Sequence, residues 1–359
     1  MVTPVKRIAL ASALALLGSF TVGSPTHQNA SAATGIAIPP YLAGNPAPSN
    51  YSLVFSDEFN GDSVDASKWN LRHNDNFGTG NREDECYRRE NAQVSDGQLH
   101  LVALPQTVQC NGTNPDTGTS TYYFTSAFAT TKAAGGGPQK FAFTKGYEEA
   151  MIKLPVGNAW WGAFWNTGAE GAPGWPDYGE FDVMEQLGNY PDTTVQTFHY
   201  KCSTGPCQTT SDNQINTRTN GISKGVQLTA DNVKTYIGDG TSRFIRYGML
   251  WDNEKIVWYI DGVPIRSFDG TRIRRYKTDD YGKVTVAYEG TALPAVKPSF
   301  GTVLNTPHVL DLNLAVGGGV PKYLGYTGGE TATGYNLGNF FGDTTPSMDV
   351  EYVRVYQLT

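Results

Sequence analysis

Glu180-Phe181-Asp182-Val183-Met184-Glu185 places three carboxylates within six residues of an apolar, strand-like run. Like charges so close repel, so a purely structural strand gains nothing from them. Paired carboxyls do have a chemical use. Cleavage of a sugar–sugar bond with retention employs two of them about 5 Å apart, one attacking carbon and one handling the proton. The spacing adds a condition. In a regular strand, residues 180, 182 and 184 share one face and 185 points to the other. Glu185 joins Glu180 and Asp182 only if a β-bulge near Met184 absorbs one residue, and bulges often re-aim side chains beside active sites. The bland alternative is an exposed acidic strand.

Aromatic residues gather around the triplet. Trp160, Trp161, Phe164 and Trp165 precede it, and Trp175 lies five residues before Glu180. Flat rings stack on the apolar faces of sugars and suit a glycan cleft, although β-sandwich cores also consume aromatics. Phe164 and Trp165 read as core. Trp175, in the Gly174-Trp175-Pro176 loop, reads as exposed and sugar-facing. Trp160 and Trp161 are adjacent, so a strand points them to opposite faces; one faces the cleft, and both are candidate substrate contacts.

The elements that must hold these groups are strands. Forty-one glycines and twenty prolines interrupt the chain, and short β-rich runs recur between turn signals. Ile256 to Ile260, then Asp261-Gly262, then Val263-Pro264-Ile265, is a hairpin signal. Further strands are expected over 99–104, 149–154, 179–184, 195–200, 310–316 and 350–357. Many short strands without helical periods indicate an antiparallel sandwich and argue against parallel α/β architecture.

Length and charge bound the rest. Lys6 and Arg7, an apolar stretch from Ile8 to about Val22, and Ala30-Ser31-Ala32 form the charged, apolar and small-residue order of a secretory signal. The stretch is short for a membrane span and is interrupted by Ser12, Gly18, Ser19 and Thr21. The expectation is a leader over 1–33, a Pro/Gly-rich linker over 34–50, and one catalytic domain over 51–359, secreted and free of the membrane once the signal is removed. Losing Lys6 and Arg7 would take the formal charge from −7 to −9. An acidic surface disfavours nucleic acid and anionic polymers and fits a neutral polysaccharide; a monomer is expected. Four cysteines in an exported chain suggest two disulfides. Cys202 and Cys207, flanking Gly205-Pro206, suit a local staple, which leaves Cys86 with Cys110, although sequence allows three connectivities.

Gly179-Glu180-Phe181-Asp182-Val183-Met184-Glu185 resembles the ExDxxE signature of glycoside hydrolase family 16, in its laminarinase-like branch with the bulge. Other motifs follow in the family's order: Asp57-Glu58-Phe59-Asn60-Gly61, Ser95-Asp96-Gly97-Gln98-Leu99, Phe124-Thr125-Ser126-Ala127, Trp161-Gly162-Ala163-Phe164-Trp165, Phe198-His199-Tyr200, Tyr247-Gly248-Met249-Leu250-Trp251, Asn313 to Gly318, and Tyr352 to Gln357. The resemblance spans roughly 50 to 357. It implies a concanavalin A-like β-jelly-roll sandwich with an open concave cleft, and endo-acting, retaining hydrolysis of β-1,3-glucan, with mixed β-1,3-1,4-glucan within reach. Alternatives are action on another β-linked polymer such as a galactan, transglycosylation, or a glucan-binding jelly roll without chemistry.

By position in the motif, Glu180 is the nucleophile, Glu185 the general acid/base, and Asp182 holds the nucleophile. Crowding of the two glutamates is expected to raise the pKa of Glu185. No cofactor is required. His199 is expected to line the cleft, and the Asn81 to Tyr87 loop resembles a negative-subsite motif. Glu58 and Gly97 match positions that commonly hold a structural calcium ion, with Glu351 where the third ligand is usually Asp. Departures bear on substrate: Met151 stands where Arg is frequent, Glu85 replaces a usual Gln and Cys86 a usual aromatic. Ala134-Gly135-Gly136-Gly137-Pro138 is an insertion, and 201–243 is a long polar excursion. These changes are expected at the cleft rim.

Overall fold

The computed structural model describes residues 51–318 and 345–358, apart from 115–116, 158, 189–190, 192–193, 201–213, 217–242, 271–272, 279–282, 290–300 and 302. The expected leader and linker (1–50), the Cys202–Cys207 staple and most of the polar excursion lie outside the described residues.

Among the described residues, two antiparallel sheets, of ten and seven strands, carry the fold. The long strand Ser347–Leu358 organises the larger one. It pairs along one side with Gly146–Lys153. Along its other side, Gln98–Val102 takes the first part and Tyr51–Asp57 the second. The sheet continues outward from Gly146–Lys153 through Ile245–Trp251, Ile256–Ile260 and Val263–Phe268. The expected hairpin is present, with Asp261 and Gly262 both at positive φ (48° and 81°), as a tight two-residue turn between twisted strands requires.

The smaller sheet runs in the order Gln214–Asn216, Val195–His199, Glu180–Leu187, Trp160–Gly168, His308–Val316, Phe128–Thr130, Asn70–Leu71. Phe164, Phe181, Met184, Phe198, Leu312 and Leu314 from this sheet join Ile152, Tyr247, Met249, Trp258, Val350 and Val353 from the other in one core. This is an antiparallel jelly-roll sandwich, as expected.

His308–Val316 (HVLDLNLAV) is buried at all nine positions. Period-2 geometry sends Leu310, Leu312, Leu314 and Val316 into the core. The alternate residues, including Asp311 and Asn313, face the other way and are covered by the Phe77–Asn81 and Glu85–Tyr87 segments and their neighbours. That face, opposite the core, carries the polar groups of interest.

Candidate active site

The acidic strand Glu180–Leu187 lies between Trp160–Gly168 and Val195–His199. Against the first, Asp182 faces Trp165 and Met184 faces Phe164, so one residue, Val183, has no counterpart. Against the second, Asp182 faces Thr197 and Glu185 faces Val195, three steps against two. The strand thus carries one extra residue at Val183–Met184, a bulge where the spacing required it. Phe181, Val183 and Met184 enter the core, while Glu180, Asp182 and Glu185 share the outer face.

The bulge disrupts the ladder, and a neighbour repairs it. Trp258, fully buried in Ile256–Ile260, donates its indole N–H to the Asp182 carbonyl at 3.0 Å. At the other end, Gly179 adopts φ +74°, and a β-carbon there would lie 2.1 Å from Val303 Cγ1. Only glycine fits this entry to Glu180. The buried His308 ring spans the carbonyls of Gly179 (2.6 Å) and Thr306 (2.7 Å). Burial pushes its pKa down to about 4, opposed by the hydrogen bonds to these two carbonyls.

Glu180 faces His199 across the ladder. His199 Nε2 stands 3.1 Å from Asp182 Oδ2 and 3.5 Å from Glu180 Oε1, charge contacts rather than aligned hydrogen bonds. The Trp175 side chain hydrogen-bonds Glu180, and its ring lies 6.0 Å from that of His199 while 54% exposed. Trp161 donates through Nε1 to Glu185 Oε1 at 3.1 Å. The Thr197 hydroxyl hydrogen-bonds Asp182 and reaches Glu185 Oε2 at 3.4 Å.

Burial dominates the electrostatics. It pushes Glu180 up to about 8, opposed by His199 and reinforced by Asp182 and Glu185. Burial likewise pushes Asp182 up to about 8, opposed by the Thr197 hydrogen bond. Glu180 and Asp182 lie within each other's field, so their protons belong to the pair. Asp182, with its side chain 4% exposed against 16% for Glu180, is the deeper place for a proton.

Several expectations are corrected. Trp160 is buried in the core, because alternation sends it inward with Phe164. Trp165 is not core: it shares the outer face with Trp161 and donates to Asn313 Oδ1 at 2.9 Å. Met151 lies on the outer face of the larger sheet, alternate to core residues Ala150 and Ile152, and is no part of the cleft rim. Asn81 does sit beside the site. Its carbonyl and Trp161 Cζ3 both lie 3.3 Å from where a β-carbon at Gly318 would be. The Cys86–Cys110 disulfide is formed and packs against Tyr122, tying this loop down.

The expected calcium ligands do not fit that ion. Both Glu58 oxygens accept from the Arg354 guanidinium, at 2.8 and 2.7 Å, so a cation already neutralises this carboxylate. Glu351 is the extra residue of a bulge between Val350 and Tyr352. Beside the Gly97 carbonyl, that leaves far fewer than the six to eight oxygens calcium takes.

Sequence reasoning passed over Thr197, Trp258, His308 and Glu83. Alternation from His199 would have found Thr197, two residues back on the same face. Trp258 and His308 act from other strands, and no local signal marks them.

Residues 86–293, more than half of the chain, match the family described as "Glycosyl hydrolases family 16". The chain belongs to that family. It is a glycoside hydrolase with laminarinase-like relatives. A glucan endo-1,3-beta-glucosidase of Cryptopygus antarcticus is 28% identical over 306 residues, covering 84% of this chain and 90% of the relative. Glucan endo-1,3-beta-glucosidase A1 of Niallia circulans is 27% identical over 323 residues, covering 87% of this chain. This chain spans only 39% of that relative's length. Among solved structures, the endo-beta-1,3-glucanase of Pyrococcus furiosus superposes with a TM-score of 0.58 at 27% identity, over 86% of this chain and 95% of that one.

Proposed function

We propose that this protein is a secreted, endo-acting, retaining hydrolase of β-1,3-glucan. The bulge at Val183–Met184 carries the reading, because it brings Glu185 to the face of Glu180 and Asp182. The names of the relatives support a β-glucan as substrate, and an exposed Trp175 beside Glu180 suits a sugar ring.

In the first step a Glu180 oxygen attacks the anomeric carbon while Glu185 gives its proton to the departing glycosidic oxygen. A glycosyl ester on Glu180 results. Glu185, now a carboxylate, takes a proton from water; the water oxygen attacks the same carbon and Glu180 leaves as a carboxylate. Asp182 retains the buried proton, so that Glu180 is free to ionise opposite His199. Trp161 and Thr197 fix the Glu185 carboxyl, one on each oxygen. No cofactor is needed for these steps.

Incubation with laminarin, mixed-linkage glucan and a galactan, followed by product sizing and NMR of the first-formed anomer, tests the reading. Short β-anomeric oligosaccharides from laminarin are expected. Release from no β-glucan, or α-anomers first, would overturn it.

A further inference from the structure

A second carboxyl pair lies on the other side of Trp161. Glu83 and Glu85, in the segment between Asn81 and Tyr87, are both buried, and their carboxyls lie against each other. Gly318, at φ +94°, brings them against the aromatic wall: a β-carbon there would lie 3.3 Å from both Glu83 Cγ and Trp161 Cζ3.

The two groups are used differently. Glu83 accepts on both oxygens, from Asn81 Nδ2 at 3.0 Å and from the Tyr87 hydroxyl at 3.2 Å. Tyr87 in turn accepts from Asn313 Nδ2 at 3.0 Å, and Asn313 Oδ1 accepts from Trp165 Nε1 at 2.9 Å. One carboxylate thus links Asn81 to Trp165 on the glycan-facing side of the sheet. Glu85 accepts from the Val316 N–H at 2.7 Å through Oε2. Its Oε1 is buried with no N–H donor aligned on it, and the Glu83 carboxyl and the Tyr87 hydroxyl are the polar groups beside the Glu85 carboxyl. Two buried carboxylates cannot both be charged in such contact.

We propose that Glu85 is a neutral acid whose hydroxyl donates to the Glu83 carboxylate, and that this donor makes Glu83 the hub positioning Asn81 and the Tyr87–Asn313–Trp165 chain for glycan binding. Glu85 is a positioning residue and touches no substrate. Burial pushes both acids up, Glu85 much further, with the Glu83 charge adding to its shift. Asp84, between them in sequence, is turned toward Gly317, and Tyr122 flanks the pair. The binding part of this assignment rests on the β-glucan reading; the proton's position does not.

Two measurements test it. Infrared difference spectra at neutral pH, wild type minus Glu85→Gln, should show loss of a carboxylic-acid C=O band; wild type minus Glu83→Gln should show loss of carboxylate bands. Calorimetric titration with laminarihexaose, in a Glu180→Gln background, reads the consequence. Glu85→Leu should weaken binding about tenfold, roughly 1.4 kcal/mol, and Glu85→Gln, whose amide restores a donor, should recover it. Carboxylate bands lost with Glu85→Gln, or no recovery by the amide where the leucine variant is weakened, would overturn the assignment. If Glu85→Leu does not fold, the infrared pair alone decides. Absence of laminarihexaose binding by the Glu180→Gln parent would count against the substrate reading and leave the spectra to judge the proton.

Discussion

Glu180–Asp182–Glu185 and Glu83–Glu85 are both crowded acid groups against one tryptophan strand, yet their surroundings differ. The first opens outward. Glu180 and Glu185 keep partial exposure, His199 stands opposite Glu180, and Trp161 and Thr197 hold the Glu185 carboxyl. The second is buried, with donors on three of four oxygens and the fourth out of contact with solvent. Burial alone therefore does not make an acid reactive. What separates the two is whether the surroundings let the proton move.

The same exchange separates the groups most sharply. Glu180→Gln replaces the attacking carboxylate with a non-nucleophilic amide and should lower kcat on laminarin by about 10⁴-fold or more, whereas at position 85 the amide merely replaces one donor with another. Glu185→Gln should cost roughly 10² to 10⁴-fold, with a larger loss for unactivated substrates that need the proton. Steady-state rates with laminarin read both. A Glu180→Gln enzyme of near-normal rate would erase the distinction.

His199→Asn should act on the pH profile. His199 lowers the pKa of Glu180, so its loss should move the acid limb of kcat/KM upward by about one unit, roughly 1.4 kcal/mol. An unmoved limb would remove His199 from the cluster's electrostatics. Trp258→Phe strips the donor from the Asp182 carbonyl and should cost about 1–3 kcal/mol in denaturant unfolding; a neutral result would mean that the bulge holds itself.

A third buried acid, Glu148, touches neither group. Asn166 donates to its Oε2 at 3.0 Å, and burial pushes it up to about 8. A carboxyl raised this way favours the folded state while protonated. Its contribution is complete below about 4.5 and is lost as pH rises toward 8. Glu148→Gln should therefore shrink the fall in unfolding free energy between pH 5 and 9 by about 4 kcal/mol. An undiminished fall would place the titration on Glu180 and Asp182.

Much of the catalytic face was legible in local pattern. Alternation plus one extra residue placed Glu180, Asp182 and Glu185, and the Asp261-Gly262 turn marked its hairpin. Misreadings came where a residue's environment is built by distant chain. Trp160 and Trp161 look equivalent in sequence, and only the register with Leu187 and Val316 shows which enters the core. Trp165 reads as core because an aromatic beside Phe164 resembles core; its partner Asn313 comes from 148 residues away. The calcium set failed for the same reason, since Arg354 reaches Glu58 across 296 residues.

The central claim, that the bulge delivers Glu180 as nucleophile, is tested most directly by trapping the covalent intermediate. A laminaribiose carrying 2-fluoro and a good leaving group should label the enzyme once, and peptide mass spectrometry should place the sugar on Glu180. A label on Glu185 or Asp182, or full turnover of laminarin by the labelled enzyme, would contradict it.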